Sequence, residues 1–391
     1  MKMNSPRVLM VHNYYQLAGG EDDSFEAEAD LLERHDHPVY RYTRHNREIE
    51  QMGRWATGAA AVWSRRSRSD LRGIIRDFRP DIVHFQNTFP LVSPAAYGVV
   101  KQAGIPVVQS LRNYRTVCLN GVLFRQGRVC VDCVGRGIPW PGVLHRCYRD
   151  SRAGSAAVAL MITSHRALRT WTSQVDLYIS NSEFARRQFV KGGLPADKIR
   201  IKPNFLHPDP GPHTGEGEYA LFIGRLAAEK GLLTLLRAWR SFPQKKLVIV
   251  GDGPLKPQLE QEVLMNGLSG VQLVGWRPRE ELSGWLRGAR FLVFPSEWYE
   301  TFGRVLVEAL AAGLPVIAAR IGAVEEIIEH ERTGRLFMPA NADDLAAQIA
   351  WLSSHPAESG EMGRRARQAY LERYTADKNY ELLLGLYRTL L

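Results

Sequence analysis

The residues of this chain best equipped for chemistry are two carboxylates and two cations, each set beside the start of a helix. Glu300 and Glu308 lie in the run from Phe294 to Ala319. There Phe291 to Phe294 reads as a buried strand end and Pro295 to Glu300 as a loop. Val305, Leu306, Ala309 and Leu310 form the sheet-facing stripe of a helix that Gly313 stops before a second strand, Pro315 to Ala319. Thr301 is expected to cap the helix, and Gly303 to leave the backbone open at its first turn. Free N–H groups at a helix start attract anions. A diphosphate could rest over that end with a sugar on each side, and each carboxylate could accept hydrogen bonds from hydroxyls. Glu308 taken alone would read as a surface residue of an amphipathic helix; the pair in this loop–helix setting favours a binding role.

The opposite charge comes from another junction. Strand-like Tyr219 to Ile223 runs into Gly224-Arg-Leu-Ala-Ala-Glu-Lys-Gly231 and a helix. Gly224 frees the backbone, while Arg225 and Lys230 put two cations beside the helix start, a setting suited to an anionic leaving group. Nearer the N-terminus, strand Arg7 to His12 leads through Gly19 and Gly20 to an acidic helix from about Asp22 to His35. A strand, a glycine loop and a helix make an approach for phosphate, or simply a tight turn. His84 sits on strand Pro80 to Asn87 as either a ligand contact or a structural histidine. Arg112, Asn113 and Arg115 follow strand Ile105 to Ser110, where the guanidinium groups could meet a phosphate or an anionic acceptor.

Four cysteines, Cys118, Cys130, Cys133 and Cys147, fall within 30 residues with the spacing C-x11-C-x2-C-x13-C. The segment between them is rich in Gly, Arg and Pro and has little core of its own. A structural zinc with four thiolate ligands would staple it; a loop of reduced thiols is the alternative, and a disulfide is disfavoured in a reducing compartment. No Asp-x-Asp occurs, so the sequence does not require a catalytic divalent metal.

Positioning these groups takes two domains, for which 391 residues suffice. Strand and helix signals alternate throughout, as in two doubly wound α/β domains. The Pro-rich stretch His207 to Gly215 reads as the linker, giving an N-terminal domain over 1–206 and a second over 207–374. Residues 374–391 read as a final amphipathic helix. Net charge is +10, but residues 1–205 hold 30 Lys and Arg against 18 Asp and Glu, whereas the remainder is slightly acidic. The first half therefore faces either water alone or an anionic partner, such as a membrane surface or an acidic acceptor. Residues 54–79, basic and carrying Trp55 and Trp63, could lie on an anionic bilayer or pack their tryptophans inside. No nucleic-acid motif accompanies the charge. No apolar run reaches a membrane span and no signal-peptide pattern opens the chain, so a cytoplasmic location is expected, with peripheral contact at the inner face of the membrane.

The stretch around Glu300 and Glu308 resembles the Glu-x7-Glu motif of family 4 retaining glycosyltransferases, which have the GT-B fold. The likeness is strong from Leu221 to Leu336 and weaker from Val8 to Asn204. It implies two Rossmann-like domains facing a cleft, with the helix over 375–391 returning to the first. Glu300 would contact the donor sugar and Glu308 the nucleotide ribose, with Phe302 and Gly303 supplying backbone donors between them. Arg225 and Lys230 would bind the donor diphosphate, and Gly19, Gly20 and Gly224 would allow close approach. The loop Gly275-Trp-Arg-Pro278, with Arg277, would meet the base. Many members have a histidine after the strand at 105–110, where this chain has Arg112 and Asn113. The resemblance implies transfer of a hexose from a UDP- or GDP-sugar to a glycan or lipid-linked acceptor in polysaccharide assembly. A small natural-product acceptor, a nucleotide-sugar epimerase and a non-catalytic sugar-nucleotide-binding partner are the alternatives.

Overall fold

Runs of apolar and β-branched residues become parallel strands covered on both faces, the arrangement in which unbroken hydrophobic strands are stable. The computed structural model describes residues 5–16, 19–212 and 217–391; residues 213–215 of the expected linker lie outside them. The chain divides into two units. One comprises the described residues of Met1–Leu123, Cys130–Pro203 and Tyr380–Leu391, and the other Phe124–Val129 and Asn204–Asn379.

In the first unit the strands are β1 (Val8–Tyr14), β2 (Val39–His45), β3 (Ile82–Phe85), β4 (Val107–Leu111), β7 (Leu177–Ser180) and β8 (Ile199–Ile201). They form one parallel sheet in the order β2-β1-β3-β4-β7-β8. A short antiparallel hairpin, β5 (Phe124–Arg125) with β6 (Arg128–Val129), belongs to the second unit. That unit's sheet is also parallel, in the order β11-β10-β9-β12-β13-β14. Its strands are β9 (Tyr219–Ile223), β10 (Leu247–Val250), β11 (Val271–Gly275), β12 (Ala289–Phe294), β13 (Val316–Ala319) and β14 (Gly334–Phe337). The strand order reverses between β1 and β3 in the first sheet and between β9 and β12 in the second. In open α/β sheets, ligand sites form beyond the carboxyl ends of the strands at such reversals.

The first unit is tied together by a buried polar network. Glu28, on helix Gly20–Arg34, takes Lys202 Nζ at 2.5 Å and Arg112 Nη2 at 3.1 Å on the same oxygen, with Gln86 donating to the other. Burial by itself would raise the Glu28 carboxyl, but Lys202 and Arg112 overcome it and hold the group well below the usual carboxylate range. His84 is fully buried beside them, with Nδ1 on Tyr387 Oη at 2.7 Å and Nε2 on Ser110 Oγ at 2.9 Å. Burial pushes its pKa down to about 4. Tyr387 comes from the last helix, Ala376–Arg388, whose Leu383 and Tyr387 join Val8, Met10 and Phe25 in the core.

At the reversal in the second unit, two loops touch backbone to backbone. Gly231 has φ 69°, and a Cβ there would lie 1.8 Å from Pro295 O. Glu297 N donates to Glu229 O at 2.9 Å, and Thr234 Oγ1 donates to Glu297 Oε1 at 2.6 Å. Only glycine allows this approach in the left-handed region.

Two outcomes are expected. An unfolded imidazole protonates near pH 6.5 and the buried His84 only near 4. The stability attached to keeping it neutral is therefore whole above the unfolded pKa and is lost as pH falls through that window. The urea midpoint by circular dichroism should drop between about pH 7 and about pH 4.5, and His84→Gln should flatten the drop; an unchanged slope would place the titration elsewhere. Gly231→Ala should cost about 1–3 kcal/mol by overpacking, besides the left-handed strain. An unaltered thermal midpoint would mean that the loops part without cost.

Candidate active site at the carboxyl edge of the second sheet

Beyond β12 the chain turns through Pro295 to Thr301 and enters helix Arg304–Ala311. The expected Thr301 cap does not form. Gly303, at φ 94°, is the N-cap and no side chain caps the helix, so the boundary lies where only a glycine turns easily. Thr301 is buried instead.

Glu300 is 4% exposed and anchors the loop. Lys230 Nζ reaches its Oε1 at 2.6 Å, and Ser296 Oγ and Trp298 Nε1 each donate to the same oxygen at 2.7 Å. Lys230 also stands 5.2 Å from the centre of the Trp298 ring. The close contact of Gly231 with Pro295 holds the two loops at the separation this pair requires. Removing one partner of such a buried pair leaves an uncompensated charge, at a cost of roughly 3–5 kcal/mol. Ser296 and Trp298 belong to this candidate site, and the sequence reading did not single them out. Their signal was a hydroxyl and an indole N–H placed four and two residues before an acid in a loop that follows a buried strand.

Arg225 is 60% exposed and pairs with Glu229. Glu308 faces back along its helix to Arg304, whose Nε lies 3.4 Å from Glu308 Oε1, with both side chains nearly covered; it is not the free surface residue that it would be on an isolated amphipathic helix. The Phe302 side chain packs in the core near the Tyr374 ring, so only its backbone can meet a ligand. Gly224 ends β9 at the same edge, and Arg277 is exposed beyond β11. The second unit thus brings together Arg225, Lys230, Glu300 and the Gly303 helix start around its strand-order reversal.

In the first unit, Gly19 caps helix Gly20–Arg34, and its N–H is taken by Asp22 Oδ2 at 3.2 Å. Among the described residues, a Cβ on Gly19 or Gly20 would meet nothing within 4 Å. Of the two readings of His84 the structure favours the structural one: the ring is fully buried and both its nitrogens are hydrogen-bonded. Arg112 is 7% exposed and spans Glu28 and Gln86, donating from Nε to Gln86 Oε1 at 2.8 Å. Asn113 Nδ2 donates to Glu21 Oε1 at 3.0 Å. These two residues fasten the β4 loop to the first helix. Both still line a cavity with Gln86, Asn87 and Arg115. Arg115 stacks on Phe89, its guanidinium carbon 4.8 Å from the ring centre.

None of the four cysteines is in a disulfide. Burial, then the neighbouring Cys118, push the Cys133 thiol up to about 12, with Cys147 and Cys130 adding to the effect. Cys118 Sγ donates to Asn120 Oδ1 at 2.8 Å, and among the described residues no three His, Cys, Asp or Glu side chains stand as a ligand set for a metal.

Comparison with known proteins gives this geometry a family. The glycosyl transferase 4-like domain matches residues 17–204, and glycosyl transferases group 1 matches residues 206–369. Sulfoquinovosyl transferase SQD2 of Arabidopsis thaliana is 29% identical over 310 residues, covering 77% of this chain and 55% of that protein. D-rhamnosyltransferase WbpZ of Pseudomonas aeruginosa is 34% identical over 160 residues, covering 40% and 42%. The chain spans about half the length of the curated relatives it matches. Among solved structures, sucrose-phosphate synthase of Thermosynechococcus elongatus aligns with a TM-score of 0.74 at 18% identity, over 98% of this chain and 99% of that one. Anabaena HepE, solved in complex with UDP, aligns with a TM-score of 0.71 at 18% identity, over 98% and 100%. Two parallel α/β units that share the fold of these structures and match both families along almost the whole chain identify it as a member of the GT-B glycosyltransferases, 4-like in its first half and group 1 in its second.

Proposed function

We propose that this chain is a retaining glycosyltransferase of family 4, carrying a hexose from a UDP- or GDP-sugar to a glycan or lipid-linked acceptor in polysaccharide assembly. The observation that carries the reading is the Lys230–Glu300 pair, fixed at the strand-order reversal beside an open helix start. An ammonium has three N–H donors, and Glu300 takes one of them. The same nitrogen can therefore also meet oxygens of a donor diphosphate, with Arg225 and the N–H groups near Gly303 alongside. HepE binds UDP and UDP-glucose, which supports a nucleotide-sugar donor here.

The chemistry follows from where charge grows. As the glycosidic bond breaks, the sugar carbon loses its bond to phosphate oxygen, and negative charge collects on the diphosphate. Arg225, Lys230 and the helix start oppose that charge and so stabilise the transition state more than the bound donor. Glu300 orients the sugar and Glu308 the ribose. The acceptor hydroxyl attacks from the face the diphosphate leaves, and its proton passes to the departing phosphate. Retention then needs no covalent nucleophile. The acceptor's chemistry is drawn from the basic first half, which suits an anionic or lipid-linked glycan at the inner face of a membrane.

We also propose that zinc staples the segment from Cys118 to Cys147. The support is the sequence pattern, four cysteines within 30 residues that include a C-x2-C pair in a segment with little core of its own. Closing the site requires Cys118 to leave Asn120.

Kinetics and metal content test the two proposals. Arg225→Ala and Lys230→Ala should each lower turnover at saturating donor by about a hundredfold or more, beyond any loss in nucleoside-diphosphate affinity. Arg225→Lys should recover part of the loss, since a lysine is a point charge where an arginine bridges two oxygens. Wild-type turnover in both alanine variants would move the diphosphate elsewhere. Protein purified without chelators should hold about one zinc per chain; zinc-free protein with four titratable thiols would reject the staple.

A further inference from the structure

Three helices of the first unit adjoin one another and leave large apolar residues in water. Helices Arg54–Val62 and Trp140–Leu144 both pack on helix Arg152–Ala167, and a Cβ on Gly58 would lie 3.6 Å from Ala157 Cβ. Trp55 is 93% exposed, Ile138 60%, Leu160 58%, Leu144 57% and Trp140 53%. Single exposed apolar residues are ordinary on a soluble protein. Five on adjoining short elements, two of them tryptophan, mark an interaction surface.

The charge around this surface has one sign. Residues 130–170 hold six arginines and two aspartates, and residues 54–79 hold seven arginines and two aspartates; neither stretch has a lysine or a glutamate. The helices themselves are bare: Ala153 to Ser164 carries no charged side chain, nor does Trp55 to Val62. Arginines stand at the edges, where the Arg136 guanidinium lies 5.5 Å from the centre of the Trp140 ring and Arg68 lies 4.8 Å from that of Trp63. Among the described residues no helix is long and apolar enough to cross a membrane. An uncharged, tryptophan-bearing face rimmed by arginine matches an interface whose depth is apolar and whose headgroups are negative. A second copy of this chain would bring arginine against arginine.

We propose that this three-helix surface docks on a bilayer containing anionic lipid, with Trp55, Trp140 and Leu160 at headgroup depth and the surrounding arginines on lipid phosphates. The inference stands on surface chemistry and does not depend on the transfer reaction.

The test is co-sedimentation of the full chain with phosphatidylcholine vesicles, with and without phosphatidylglycerol. The wild type should bind the anionic vesicles, release in high salt, and show a blue shift in tryptophan emission on binding. Trp55→Ser combined with Leu160→Ser should weaken binding at least tenfold; Trp55→Ser alone, at the most exposed position, is the variant least able to disturb folding. An unchanged thermal midpoint keeps folding out of the result. Absence of binding to anionic vesicles at low salt would overturn the proposal. So would equal binding by wild type and variants, which would mean charge attraction without this face. Self-association in sedimentation velocity that the substitutions abolish would also overturn it, by making the surface a contact between copies.

Discussion

A carboxylate taken out of water must have its charge answered nearby, and in the second unit that requirement fixes the geometry of the candidate site. Glu300 is answered by Lys230, which arrives from the loop after a different strand. For the ammonium to be close enough, the two loops must run almost in contact, and the glycine at 231 lets a carbonyl pass where any side chain would stand. Parallel pairing of β9 with β12 then sets both loops at one edge of the sheet. The charges, the glycine and the strand order form one mechanical unit.

The first unit solves a similar problem for a structural end. Glu28 gathers Lys202 and Arg112 from distant parts of the chain, and His84 closes the cluster against Tyr387. Such an arrangement is over-determined: each polar group is bonded because each would be costly alone. It leaves the β4 loop, with Arg112 and Asn113, rigid where it borders a cavity.

How much of this could be read from sequence varied with how local each feature was. The strands and the two doubly wound sheets follow from apolar runs and glycine-bearing junctions, which act over a few residues, whereas the grouping of Arg225, Lys230 and Glu300 came from the family resemblance, since Lys230 and Glu300 meet across 70 residues. The start of the helix after Glu300 was misplaced, because a threonine at a good capping position competes with a glycine two residues later that turns more cheaply. The fate of His84 depended on a tyrosine 303 residues downstream, and that of Arg112 on a glutamate on the first helix; no pattern along the chain announces such meetings. Trp55 and Trp63 were ambiguous because small residues surround them, and alanine-rich helices show little contrast between faces. Ser296 and Trp298 were in view but went unassigned, since a loop hydroxyl or indole acquires a role only once its acceptor is located.

The first unit's fabric includes the end of the chain. Lys202, just before the unit's boundary at Pro203, and Tyr387, near the C-terminus, both bond into the same buried cluster. The unit is therefore not a contiguous cassette. A single genetic crossover in the segment joining the halves would graft a foreign terminal helix onto this core and leave His84 facing an unmatched side chain. Exchange of first units between relatives would need two crossovers at once, or a last helix with a tyrosine at the same place. Lineages in which the halves recombine freely should therefore hold the tyrosine of that helix fixed.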